Sequence, residues 1–406
     1  MILPPVSRIV APFMSVTLPF APPSSQRGLS TIGIVLRDFR LGGSERVAIG
    51  LANYWSSCGL AVVLVVARDQ GPLKSHVHPN VGIIDCGMSP HMGDKMLAWA
   101  LAWQARKCFA RYAIDACYVP GNSHWPVLPA LATLGRSRRP VTLAQISSPV
   151  CREGRTRLGQ MRYDWRMRAL LRHADRVTTL SEPLAHETMA IIGSKMVDVV
   201  PLPALWDEEE GLVPVPDEAM TILAAGRLTA IKGFDGLIKA FRLVRDRHAR
   251  AKLVICGEGE ERPRLEALIE ELDLTEAVTL TGYVPTIRPY LQHARVFTLT
   301  SHLESFGAVL LEALAAGRQI VATRCSPAVD NLIVSPLAGR SVPTRDVPAL
   351  ADALSAILDE APPPCETLAQ LVKPFHVSHG GRLFLSLMQA GRDRDAGFRN
   401  GMRAAF

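Results

Sequence analysis

Two glutamates eight positions apart, Glu304 and Glu312, bracket a Phe-Gly pair in the stretch SHLESFGAVLLEALAAG, residues 301–317. The first follows the apolar run FTLTS on a short loop. The second falls within a helix-period segment, FGAVLLEALAAG, that closes on a glycine, a common helix terminator. A carboxylate set about two turns into a helix beside Leu310, Leu311 and Leu314 is costly to bury without hydrogen-bond donors. Sugar and ribose hydroxyls are such donors, and an arginine in a structural ion pair is another. At the helix mouth Glu304 stands with the backbone amides of Ser305, Phe306 and Gly307, which can point into a cleft.

A second cluster carries the opposite charge. In AAGRLTAIKGFDGLIKAF (224–241) a strand ends at Gly226 and a helix begins near Gly233, leaving Arg227 and Lys232 on the loop between them. Two cations at the carboxyl edge of a sheet, beside a helix N-terminus, suit phosphate and could neutralise a diphosphate without a metal. A solvated basic loop is the plainer alternative. The face of the helix bearing Glu312 could approach this loop. ICGEGEER (255–262) gives Gly-x-Gly from Gly257 after a strand, but the third glycine of a dinucleotide fingerprint is missing, so no redox cofactor is implied. The only Asp-x-Asp, Asp393–Asp395, lies in a polar tail away from any strand end and marks no metal site.

The elements that must position these residues alternate. STIGIVL, a glycine turn LGGSER, a helix-period stretch and LAVVLVVA form a parallel β-α-β unit. Strand-like runs continue at DACYVPG, PVTLAQISS, RVTTLSE and VDVVPLP, up to residue 203. WDEEEGLVPVPDE (206–218) is acidic, proline-rich and aperiodic, as a hinge would be. Alternation restarts with TILAAGRL, AKLVICGEGE, AVTLTGYV, RVFTLTS and RQIVATRC. The expected organisation is a loose extension (1–28), a first Rossmann-like domain (29–204), a hinge (205–220), a second Rossmann-like domain (221–377), and a C-terminal helix and tail (378–406) that returns to the first domain. Ligands of such sheets bind where the strands' carboxyl ends meet the cleft.

Composition bounds the function. With 406 residues, 48% hydrophobic and 20% charged, the chain can build two cores. Eight cysteines without a C-x-x-C pair, several in apolar runs, read as reduced thiols of a cytoplasmic protein. The first 28 residues are apolar but broken by prolines, which fits a loose extension or a start site placed too early better than a signal peptide, and no run is long enough for a membrane span. The formal charge of +7 is uneven, with arginines crowded between 136 and 176. Together with Trp165, and with Trp99 and Trp103 one helical turn apart, this segment suits an anionic membrane surface; the plainer reading puts the tryptophans in the core and the arginines in solvent. Aromatic content of 6% and the lack of a stacking platform argue against nucleic acid.

In order and spacing, GRLTAIKG, GEGEERPRLEALIEELDLTEAVTLTGYV and TSHLESFGAVLLEALAAGRQIVAT resemble the C-terminal domain of retaining glycosyltransferases of family 4, and GGSERVAIGLANYW (42–55) resembles their N-terminal glycine turn. The resemblance spans about residues 30 to 390 and implies the GT-B fold, two Rossmann-like domains facing across a cleft. It implies that Arg227 and Lys232 grip the nucleotide diphosphate, and that Glu304 meets hydroxyls of the donor sugar while the amides of Phe306 and Gly307 lie near the distal phosphate. It implies too that Glu312 holds the ribose and that Gly282 and Tyr283 contact the base. Gly257, Gly42 and Gly43 would let backbone approach the donor, and Gly42 and Gly43 the acceptor as well. The implied activity is metal-independent, cofactor-free transfer from a UDP- or GDP-sugar to a lipid-linked or growing surface glycan, on the cytoplasmic side of the membrane. Three departures from the family pattern concern the acceptor side. Gln145 stands where many relatives have a histidine, PLPAL replaces an Asn-Gly, and Ala328 and Asp330 replace a Gly-x-x-Glu. His124, the nearest histidine, reads as a packed surface residue, and a binding subunit without turnover is the alternative.

Overall fold

Apolar runs of strand length separated by amphipathic helices leave both faces of a sheet to be covered, the condition under which all-parallel sheets form. The computed structural model describes residues 28–404 except 136, 152–153, 194–196, 207–211, 213, 217, 305 and 334, with no side-chain description at 327, 328, 331 or 393–404. The extension 1–27, Ser305, part of the acidic hinge and the side chains of Ala328 and of the Asp-x-Asp tail therefore lie outside the described residues.

The first half runs β1 (Thr31–Leu36), α1 (Gly43–Ser57), β2 (Ala61–Val66), β3 (Gly82–Asp85), α2 (Asp94–Tyr112), β4 (Ala116–Val119), α3 (Val127–Ala132), β5 (Val141–Gln145), α4 (Arg157–Leu171), β6 (Arg176–Thr179), α5 (Glu182–Ile192) and β7 (Val197–Val199). Its seven strands lie in the order β3-β2-β1-β4-β5-β6-β7, and every pairing is parallel. The second half runs β8 (Thr221–Ala225), α6 (Phe234–Arg247), β9 (Lys252–Cys256), α7 (Arg262–Glu271), β10 (Val278–Gly282), α8 (Arg288–His293), β11 (Val296–Leu299), α9 (Val309–Ala315), β12 (Gln319–Thr323), α10 (Pro327–Leu332), β13 (Gly339–Val342), α11 (Val347–Asp359), α12 (Cys365–Leu371) and α13 (Val377–Ala404). Its six-stranded sheet, β10-β9-β8-β11-β12-β13, is also wholly parallel. Both are doubly wound, with the strand order reversing between β1 and β4 and between β8 and β11, and those switch points are where such folds bind ligands. β3 and β13, each four residues at a sheet edge, are too short and too polar (GIID, GRSV) to show in an apolar-run reading.

The chain crosses between the halves twice, side by side. The Leu205 amide donates to Phe375 O at 3.1 Å and the Val377 amide donates to Leu205 O at 2.8 Å, a parallel bridge at the hinge. Beyond it α13 packs on α1, β5 and β6 of the first half. Gly380 and Gly381 allow this close approach: a Cβ at Gly380 would sit 2.6 Å from Pro203 Cβ, and one at Gly381 2.4 Å from Tyr54 Cδ1. Phe384 and Met388 are buried in the first core, Phe384 with its ring centroid 5.2 Å from that of Tyr118. In the second half a fully buried Arg318 ties off two helices, donating to Leu291 O at 2.6 Å, Gln292 O at 3.1 Å and Ala316 O at 2.9 Å.

Phe384→Ala should cost about 3–5 kcal/mol, the usual range for truncating a buried aromatic, and it should do so in the first domain although the residue lies beyond the second domain in sequence. Urea unfolding followed by tryptophan fluorescence checks this; an unchanged midpoint would mean that α13 does not complete the first core.

Candidate active site

The residues with chemistry gather where α1, the β5 exit, the hinge and the α9 entry meet. A cavity of about 330 Å3 is lined from the first half by Gly43, Ser44, Arg46, Gln145, Ser147 and Ser148, and from the second by Glu304, Phe306, Gly307, Ala308 and Glu312. The carboxyl ends of both sheets thus face one cleft.

β8 delivers Lys232 to this cleft. After Gly226 the chain makes one short turn, Ala230–Lys232, and Gly233 at φ 64° begins α6. A Cβ at Gly233 would lie 2.4 Å from Thr300 O, so the loop packs directly on the β11 exit, and the Thr300 hydroxyl donates to Lys232 O at 3.0 Å. The Lys232 ammonium consequently meets Glu304 Oε1 in an ion pair, and the Ser301 hydroxyl donates to the same oxygen at 2.8 Å. The Glu304 amide is held by Cys325 O at 3.1 Å. Lys232 and Glu304 are only 23% and 17% exposed, so each answers the other's charge in a partly desolvated place.

The helix behind Glu304 is shorter than its composition suggests. It begins at Val309, after Gly307 at φ 83°, so Glu312 lies in its first turn rather than two turns deep. Leu310, Leu311, Ala313 and Leu314 are buried, whereas Glu312 faces the cleft. One partner comes from across the cleft: Arg46 of α1 reaches from the first half to within 3.7 Å of Glu312 Oε1 and stacks over Trp206 of the hinge, 5.6 Å from the ring centroid. The apolar-run reading missed Arg46, although its place in GGSER, one turn into a helix that begins at the cleft, was a usable signal.

The other candidates divide. Phe306 is buried against Phe375, ring centroids 5.7 Å apart, and lines the cavity with Gly307 and Gly43. Gly42 precedes α1, and a Cβ there would fall 2.1 Å from Glu45 Oε2. Arg227 is exposed and does not line this cavity. Gly257 serves the sheet edge: a Cβ would fall 1.9 Å from Gly226 O, and its amide donates to Gly282 O at 2.9 Å. Gly282 takes φ 78°, and Tyr283 beyond it is 58% exposed. Ser305 is outside the described residues. No helix among the described residues is long and apolar enough to cross a membrane, and all eight cysteines are free thiols.

Gln145 and His124 separate clearly. Gln145, at the end of β5, lines the cavity; the Tyr118 hydroxyl donates to its Oε1, and its Nε2 is buried without a partner among the described residues. His124 is a buried residue rather than a surface one, 2% exposed, with Nδ1 2.5 Å from Pro120 O. Burial, only partly offset by that hydrogen bond, pushes its pKa from 6.5 down to about 4.

Comparison with known proteins divides the chain at the same hinge. Residues 42–204 match the family described as glycosyl transferase 4-like domain, and residues 197–373 match glycosyl transferases group 1. An uncharacterized glycosyltransferase of Haemophilus influenzae is 34% identical over 116 residues, which is 29% of this chain and 33% of that protein. The lipopolysaccharide core biosynthesis glycosyltransferase LpsD of Rhizobium meliloti is 33% identical over 153 residues, 35% of this chain and 43% of that protein. The aligned stretch thus spans about a third of the length of the first of these curated relatives and under half of the second. Among solved structures, the apo form of the lipopolysaccharide outer core galactosyltransferase WaaB superposes with a TM-score of 0.67 at 15% identity, covering 89% of this chain and 99% of that one, a likeness of fold.

A neutral buried histidine gives a signed expectation. With the folded pKa near 4 and the unfolded value near 6.5, His124 contributes stability that is complete above about pH 6.5 and lost as pH falls toward 4. In that window it should add a slope of about 1.4 kcal/mol per pH unit. Unfolding midpoints at pH 7 and pH 5 should therefore differ less in His124→Gln than in the parent; equal differences would sink the assignment.

Proposed function

The chain belongs to the glycosyl transferases group 1, with a glycosyl transferase 4-like domain as its first half, and from this premise we propose that it is a retaining glycosyltransferase moving a sugar from a UDP- or GDP-sugar to a hydroxyl of a lipid-linked or growing surface glycan. The observation that carries the reading is the pair of acid–base contacts in one cleft, Lys232 with Glu304 and Arg46 with Glu312. The name of the Rhizobium meliloti relative supports a surface-glycan acceptor, and the arginines between 136 and 176 favour work at the inner face of an anionic membrane.

In this reading the donor's diphosphate takes over Lys232, with Arg227 as second cation, and the released Glu304 accepts hydrogen bonds from the sugar's hydroxyls. Glu312 turns to the ribose hydroxyls. Gly282 and Tyr283 lie along the base, while Gly43 leaves space open where a side chain would intrude and Gly307, at φ 83°, turns the backbone beside it. The acceptor oxygen bonds to the anomeric carbon on the face from which the phosphate oxygen leaves, and the departing phosphate takes the acceptor's proton. The charge that grows on the leaving group is met by fixed cations, so their contribution rises toward the transition state. In this reading Gln145, which lines the cavity and whose Nε2 has no partner among the described residues, donates to a substrate hydroxyl. No metal or cofactor is required by this scheme.

Lys232→Ala should weaken binding of the cognate nucleoside diphosphate by about 1.5–3 kcal/mol, the range for a charged hydrogen bond, as read by calorimetry. Unchanged affinity would remove the clamp. Glu304→Gln should keep nucleotide affinity within a few-fold while losing most turnover; a fully active variant, or a parent that binds nucleotide without turning over any acceptor, would overturn the transferase mechanism. Turnover should survive EDTA, and its loss with rescue by Mg2+ would refute the metal-free scheme.

A further inference from the structure

The exposed apolar side chains of the first domain are not scattered. Met96, Trp99 and Trp103 on α2 and Leu158, Met161 and Trp165 on α4 are all more than half exposed, with Trp165 at 71%. The tryptophans of these two helices are therefore not core. Trp99, Leu158, Met161 and Trp165 wall a groove of about 750 Å3 whose floor includes Pro129 of α3. On α4, Leu158, Met161 and Trp165 recur at helical spacing and form one stripe, and Arg162 and Arg166 run along its edge. Neither arginine has an acidic partner among the described residues. The one acid of this helix, Asp164, accepts from Gln160 at 2.6 Å.

A tryptophan-lined apolar groove edged by unneutralised arginines complements one surface chemistry, an anionic headgroup above a hydrocarbon chain. The face is also joined to the cleft. Ser147 and Ser148 line the cleft cavity, and two residues on, Val150 O accepts from Arg155 at 2.9 Å and from Gln160 of α4 at 3.1 Å. One short loop thus connects the apolar face with the cleft.

We propose that the α2–α4 face docks on a bilayer containing anionic phospholipid, with Arg162 and Arg166 on phosphate headgroups and the groove between Trp99 and Trp165 receiving acyl-chain segments. This rests on the transferase reading for its purpose, since it sets the loop 146–150 beside a membrane-borne acceptor, but not for its test. The occupant is lipid rather than a second copy of the chain, because two copies of this face would bring like-charged arginines together.

The test is flotation of the full chain with vesicles of phosphatidylcholine alone or mixed with phosphatidylglycerol, with nucleoside-diphosphate binding measured in parallel. The parent should bind the mixed vesicles selectively. Arg162→Gln with Arg166→Gln should weaken that binding about 30-fold at low salt, at about 1 kcal/mol per basic residue. Trp99→Ser with Trp165→Ser should weaken it by about tenfold or more, and nucleotide affinity should be unchanged in both, since these positions are exposed and none of them lines the cleft cavity. Equal binding to neutral vesicles, no binding by the parent, or tryptophan variants that bind like the parent would overturn the proposal. A concentration-dependent dimer abolished by Trp165→Ser, without vesicle binding, would give the face to a second copy instead. Transfer to a soluble acceptor is decided separately, so this proposal can fail while the transferase reading stands.

Discussion

A carboxylate drawn partly out of water must be answered by a cation or by several hydrogen-bond donors, and this protein meets that requirement twice in one cleft. Glu304 is answered from within its own domain, by Lys232 and the Ser301 hydroxyl, and Glu312 from the opposite domain, by Arg46. The first contact fixes the loop geometry of the second sheet. The second makes the cleft a shared object, since neither half alone supplies both partners. The close packing at Gly233, the turn at Gly307 and the stacking of Arg46 on Trp206 serve this arrangement.

Parallel sheets make the sharing possible. In each half the loops that carry functional residues leave the carboxyl ends of the strands, and reversal of strand order opens a crevice there. Two crossings of the chain at Leu205 and Val377, hydrogen-bonded to each other, hold the halves edge to edge. The return of α13 then sets the first core's last large side chains, Phe384 and Met388, from beyond the second domain. The first core is incomplete until the chain beyond the second domain, through Met388, is made.

The fold was legible because burial on both faces of a parallel sheet leaves continuous apolar runs, and the interior strands stand out as such. β3 and β13 did not, because an edge strand needs to be apolar on fewer sides. At the site, Lys232 and Glu304 could each be placed just past a strand end from local spacing, and their contact follows once β8 and β11 are known to be neighbours. Arg46 with Glu312 could not: their contact depends on how two domains sit against each other, which no local pattern encodes. His124 was misjudged for a related reason, since a polar residue in GNSHWP looks like surface until Trp125 is seen buried beside it.

The two contacts also differ in how easily a ligand displaces them. Arg46 and Glu312, 39% and 23% exposed and 3.7 Å apart, form a pair of the kind worth about 0.2–1 kcal/mol. Hydroxyls donating to a carboxylate contribute about 1.5–3 kcal/mol each, so a vicinal diol outbids the arginine while Arg46 keeps its place over the Trp206 ring. The Lys232–Glu304 contact is more enclosed, and only a partner with its own negative charge can replace Glu304 as the lysine's counterion without leaving a cation stranded. A diphosphate meets that condition and a neutral sugar does not. The cleft therefore discriminates by charge at one contact and by hydroxyl pattern at the other, which suits a ligand that carries both.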